Sequence, residues 1–126
     1  MIKKYQQLVA MLHDQTEEGK VEWKKTSSNE YKVSIGGCSI SILYHEVSPN
    51  SLFIHSTPDV TFLKLSLWNP NGELIDDVKI EKQDNGSADY DKLMNLYTAA
   101  RRQYGKVYIL LDTIISDLTK ETEEEK

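Results

Sequence analysis

The chain has one cysteine in 126 residues, three prolines, two phenylalanines and no basic run longer than two residues. A lone Cys38 excludes an intrachain disulfide framework, and with no C-x-x-C pair there is no local metal or redox motif. Its place in an alternating stretch suits a small, buried thiol. No apolar run approaches the ~20 residues needed to cross a bilayer. The opening Met-Ile-Lys-Lys-Tyr-Gln-Gln lacks the apolar centre of a signal peptide, so the expectation is a cytoplasmic protein with no membrane partner. Lys3-Lys4 and Lys24-Lys25 read as solvated pairs. With a net charge of −5, they leave nothing to neutralise a row of duplex phosphates, which argues against duplex nucleic acid. Phosphate-cradling glycine loops, G-x-S-x-G and H-E-x-x-H are also missing. An enzyme is therefore not expected, and no cofactor is implied.

What remains is an ordinary globular composition, 39% apolar and 28% charged, long enough for one core. One α+β domain is expected over residues 1–120, followed by an acidic, frayed tail at 121–126. Ile2, Tyr5, Leu8, Val9 and Leu12 mark one helix face over residues 2–18, with Gly19 free to close it. The period then falls to two. Val21 and Trp23 open a short strand, 26–29 is a turn, and Tyr31, Val33 and Ile35 alternate with polar residues. Gly36-Gly37 makes a tight hairpin turn into Cys38, Ile40, Ile42 and Tyr44. Residues 46–50 and 56–59 read as loops around Leu52–Ile54, a short strand or 3₁₀ turn. Leu63, Leu65 and Leu67 alternate up to Asn69-Pro70-Asn71-Gly72, a strong turn. Leu74 to Glu81 is the returning strand, with a bulge placed at Asp76-Asp77 where the alternation slips.

After a break at 83–87, Ser87 or Asp89 can cap a helix that runs to Gly105. A last helix is expected over 106–119 beyond a glycine joint. Its Val107, Tyr108, Leu110, Leu111, Ile114, Ile115 and Leu118 span about 160° of the wheel, wider than the ~100° stripe that covers one core. That excess predicts two contacts: its own sheet, and either the preceding helix or another subunit. The order is helix, four or five antiparallel strands, then two helices, which is α+β with helices on one face of a meander.

Chemistry-bearing residues are few. His13, His45 and His55 lie on different elements and lack the local spacing of a metal site. Asp76-Asp77 reads as a bulge before a cation site, and Trp23 and Trp68 as core before ligand. The densest cluster is Asp89 to Gly105, with both arginines, Arg101 and Arg102, and with Tyr90, Tyr97 and Tyr104 at seven-residue spacing. At about 100° per residue the tyrosines stay within about 40° of one another, forming a seam. Arg101 falls beside that seam and wants an anion, from the chain or from a ligand, while Arg102 points away from it. Tyrosine with arginine suits stacking on a base and gripping a phosphate. Packing on the sheet, with Arg101 paired to a strand carboxylate, is the competing account.

Two motifs support a resemblance. Gly19-x-Val21-x-Trp23-x-x-Thr26 and Leu96-Tyr97-x-x-Ala100-Arg101-Arg102 together resemble a group of small bacterial and mobile-element proteins of unassigned function. In size and element order the chain is also similar to compact phage proteins that sequester nucleotide-derived immune signals. That second likeness implies an oligomer holding a small anionic, nucleotide-like ligand between helices and sheet, an anti-defence role. It would make Arg101 and Arg102 phosphate contacts, and Trp23, Tyr97 and Tyr104 stacking groups. The ligand-binder is expected to be a homo-oligomer through its C-terminal helices; the alternative expectation is a protein-interaction module (adaptor, antitoxin or inhibitor) whose apolar last helix docks a partner.

Overall fold

The structure, a computed structural model, describes residues 1–46, 60–82 and 88–124. Its elements run α1 (Lys3–Glu17), β1 (Lys24–Ser27), β2 (Glu30–Ile35), β3 (Cys38–His45), β4 (Phe62–Trp68), β5 (Leu74–Glu81), α2 (Ala88–Tyr104) and α3 (Val107–Glu124). The five strands form one antiparallel sheet in sequential order, the α+β meander that the change of period implies. Leu52–Ile54, His55 and Ser87 lie outside the described residues.

Local chemistry accounts for most boundaries. Gly19, at φ 72°, ends α1: its N–H donates to the Thr16 carbonyl while Lys20 N–H reaches the Gln15 carbonyl. That double closure is a Schellman cap. Gly36 and Gly37 both hold positive φ, as a two-residue turn between right-twisted strands requires. At 69–73 the Asn69 side chain accepts from the Asn71 and Glu73 N–H groups. The extra residue in β5 is Ile75, because Leu67 pairs with Asp76 but Trp68 pairs with Leu74. The slip therefore falls one residue before the aspartate pair.

Cross-strand rows define the two faces. Tyr31, Ile42, Leu65 and Val78 form one row and Val33, Ile40, Leu67 and Asp76 the next, and these face the helices. Leu93, Leu96 and Ala100 of α2 are fully buried against Ile42, Leu63 and Leu65. The helix crosses β2 through β5. α1 lies beside α2 and runs in the same direction. Met1 and Gln6 meet Asp89 at one end, and Thr16, Ala99 and Gln103 border a common cleft at the other. Asp89 thus sits in the first turn of α2, where a carboxylate is favoured by the helix dipole. The Met1 amino group and the Gln6 side chain donate to it.

α3 departs from expectation. It meets α2 beside their joint, and it does not pack on its own sheet. α1 and α2 already occupy the apolar face over the core strands. The joint also works differently from a glycine hinge. The left-handed residue is Lys106, at φ 52°. A Cβ on Gly105 would stand 3.2 Å from the Arg101 carbonyl oxygen, so that glycine serves a close approach. The helix continues to Glu124, past the expected end at Thr119, since no residue there breaks it.

Candidate functional site

The two sequence motifs meet in the fold. Trp23 is 2% exposed. Its indole N–H donates to Thr16 Oγ1 at 2.9 Å, and Thr16 donates in turn to the Leu12 carbonyl at 2.6 Å. The Trp23 backbone N–H donates to Gln103 Oε1 at 2.9 Å. One residue therefore ties the end of α1, the approach to β1 and the end of α2. Burial is the reason Trp23 is anchor and not platform: no ring face is left for a ligand to stack on. Leu96, Tyr97, Ala99 and Ala100 of the second motif are likewise core.

Tyr97 and Tyr104 divide. Tyr97 is buried, edge-on to Tyr31 at 5.6 Å and tilted against Tyr44 at 5.4 Å. Tyr104, 46% exposed, also packs on Tyr31, at 5.7 Å. The seam expected along α2 is thus real, and β2 and β3 extend it into a cluster of Tyr31, Tyr44, Tyr97 and Tyr104. Pairs of this geometry add about 0.5–1.5 kcal/mol beyond area burial. Burial pushes the Tyr97 hydroxyl pKa up, as does Tyr31 beside it, while the Arg101 charge pulls it down. For Tyr44 and Tyr90 burial again dominates, and the effect is upward. At neutral pH these hydroxyls stay protonated.

Both arginines are exposed, and among the described residues neither has an ion-pair partner, so Arg101 does not pair with a strand carboxylate there. Arg101 stays beside the tyrosine cluster. Arg102 faces the other way and lines a cleft of ≈ 290 Å³ with Thr16, Gln103, Lys106, Tyr108 and Ile109. This cleft forms where α1, α2 and the first turn of α3 converge. Sequence reasoning missed it because the cleft depends on the angle at Lys106, which no periodicity reports.

The larger feature beside it is α3 itself. Tyr108, Leu110, Leu111, Ile114, Ile115 and Leu118 are 48–62% exposed among the described residues. Among the described residues no three of His, Cys, Asp or Glu gather as a metal site, and no helix is long and apolar enough to cross a membrane. The chain matches no family model, no curated protein and no solved structure.

Proposed function

We propose that the chain is an interaction protein that self-associates through α3. The observation that carries this reading is the uncovered stripe. Six large apolar side chains at roughly 100 Å² each give an area on the order of 600 Å², approaching the ~800 Å² per partner of a standard interface. Monomers rarely leave so long an apolar patch bare. The occupant is the α3 of further copies. Tyr108, Leu111, Ile115 and Leu118 follow 3-4-3 spacing, and Val107, Leu111, Ile114 and Leu118 follow 4-3-4. Two heptad seams therefore lie side by side and share Leu111 and Leu118. A helix with two adjacent seams suits a bundle of three or four better than a pair. Light scattering coupled to size exclusion should report a multiple of 14.5 kDa at micromolar concentration. The double variant Leu111→Glu, Leu118→Glu should run as a folded monomer. A wild-type monomer at all concentrations sinks the reading.

A second reading, capture of a small anionic, nucleotide-like ligand, draws support from the cleft. Its rim combines Arg102 and Lys106 with the Tyr108 ring, and Glu17 lines it too; Arg101 lies on the tyrosine side, outside it. A ligand that binds only the folded chain raises Tm by mass action, by about 2.7 kcal/mol of stability at a hundredfold excess over Kd. Thermal shift across mono-, di- and cyclic nucleotides tests this. The Arg102→Ala variant should fold normally and lose the shift.

A further inference from the structure

The face of the sheet turned away from α1 and α2 carries chemistry that neither reading uses. Antiparallel register places Lys24 directly opposite Lys32 and Lys64 directly opposite Lys79. Like charges directly opposite one another destabilise a sheet. Among the described residues, none of the four lysines has a carboxylate within ion-pair distance. Two such conflicts on one face are the kind of local rule-breaking that marks a binding surface.

The same face holds two aromatic rings, each with an ammonium above it. Lys32 Nζ lies 4.2 Å from the centre of the Trp68 ring, and Lys79 Nζ lies 4.3 Å from that of Phe62. The Trp68 indole N–H donates to Ser41 Oγ at 3.0 Å, so the indole reaches from β4 across to β3. Buried serines, Ser41 and Ser66, stand opposite each other between the rings and keep the middle of the face low. Round the edge strand lies an open cleft of ≈ 580 Å³ lined by Lys24, Lys32 and Ser34 together with Glu22 and with Lys20, which is paired to Glu18 at 2.8 Å. The carboxylates on this face sit at its margins. Glu30, at the start of β2, accepts the Thr26 hydroxyl at 2.7 Å, Asp77 is on the outer strand, and Glu81 is at the end of β5.

We infer that this face binds single-stranded nucleic acid, with Trp68 as the stacking platform and Lys24, Lys32, Lys64 and Lys79 on the phosphates, while Phe62 is already stacked on His45 at 4.9 Å. Bases offer a π-face to a flat ring, and phosphates relieve the lysine repulsion. Lys32 exchanges the Trp68 ring for a phosphate as a base takes its place. A duplex hides its bases and cannot use the ring, so the low net basicity that argues against duplex binding leaves this mode intact.

The test uses the full chain and fluorescein-labelled oligo(dT) and oligo(rU) of about ten nucleotides, a length within the 4–16 nucleotide range of single-strand sites. Anisotropy should rise on titration, and Trp68 emission should be quenched while the buried Trp23 signal persists. Binding should weaken with salt at a log–log slope of about −0.7 per phosphate neutralised, so near −3 for four lysines. Trp68→Ala should weaken binding about tenfold. Lys32→Ala and Lys64→Ala should each weaken it and lower the slope by about 0.7. Lys64→Ala should also leave Tm unchanged or raised, because a like-charge pair is removed, which separates lost binding from lost fold. No binding to either oligomer at low salt overturns the inference. So does equal binding to a duplex or heparin, or binding that survives all three substitutions.

Discussion

α2 and α3 follow one another through a two-residue joint, and both are amphipathic. In α2 the apolar residues Tyr90, Leu93, Leu96, Tyr97 and Ala100 are buried. In α3 the large apolar residues from Tyr108 to Leu118 are 48–62% exposed. The amphipathic pattern is of the same kind in both, so it reports that a helix needs a partner and not where that partner is. Polar contacts separate them further. The α2 side chains Asp89 and Gln103 accept hydrogen bonds from Met1, Gln6 and Trp23. The hydroxyls of Thr113 and Thr119 in α3 donate to the Ile109 and Ile115 carbonyls of the same helix. α2 is bound into the domain, whereas α3 is bound chiefly to itself.

The largest expected effect tests that contrast directly. Leu96→Ala removes a fully buried side chain and should cost about 2–5 kcal/mol in denaturant titration. Leu111→Ala, on a residue half exposed in the single chain, should leave the unfolding of the monomeric body within about 0.5 kcal/mol. It should instead raise the concentration at which the chain associates. Equal losses in both variants, measured under monomeric conditions, would mean that α3 packs back on the body.

Next in size is the anchor at the end of α2. Thr16→Val keeps the shape of the side chain but leaves the Trp23 indole N–H buried without an acceptor. Stranding a buried donor costs about 1–3 kcal/mol. The loss should appear in the melting of the body, with oligomer mass unchanged. A change in mass without a change in stability would place Trp23 in the association surface.

Why the sequence disclosed one of these helices and not the other has a physical basis. Alternation at Tyr31, Val33, Ile40, Ile42, Leu63 and Leu65, the Gly36-Gly37 turn and the Asn69–Gly72 turn are short-range signals, and each sits where its spacing implies. The breadth of the α3 stripe was equally legible. Its expected contact with the sheet failed because exclusion by α1 and α2 is a property of the assembled layers. Trp23 presents the same difficulty. A tryptophan beside two lysines reads as core before platform, but what it anchors shows only when Thr16, seven residues back, and Gln103, eighty residues on, are brought to its two N–H groups. The open face of the sheet was invisible for the converse reason. Lys24, Lys32, Lys64, Lys79, Phe62 and Trp68 are scattered over 56 positions, and only register sets the lysines in opposed pairs.

The smallest expected effect concerns how the helical layer is held to the sheet at its rim. Tyr5 of α1 donates its hydroxyl to Asp76 Oδ2 of β5 at 2.5 Å. Burial, the bond itself and the Asp76 charge push the Tyr5 pKa up to about 12 from 10.0. A folded-state value above the unfolded one means that the protonated hydroxyl is favoured by folding. Its contribution is fully present below pH ~10 and is lost as pH rises through about 12. The contact is near the surface, so the contribution is small. Tyr5→Phe should lower Tm slightly at pH 7, and the gap between variant and wild type should close as pH climbs from 10 toward 12. A gap that stays constant over that range would show that the Tyr5 ring, and not its hydroxyl, holds α1 against β5.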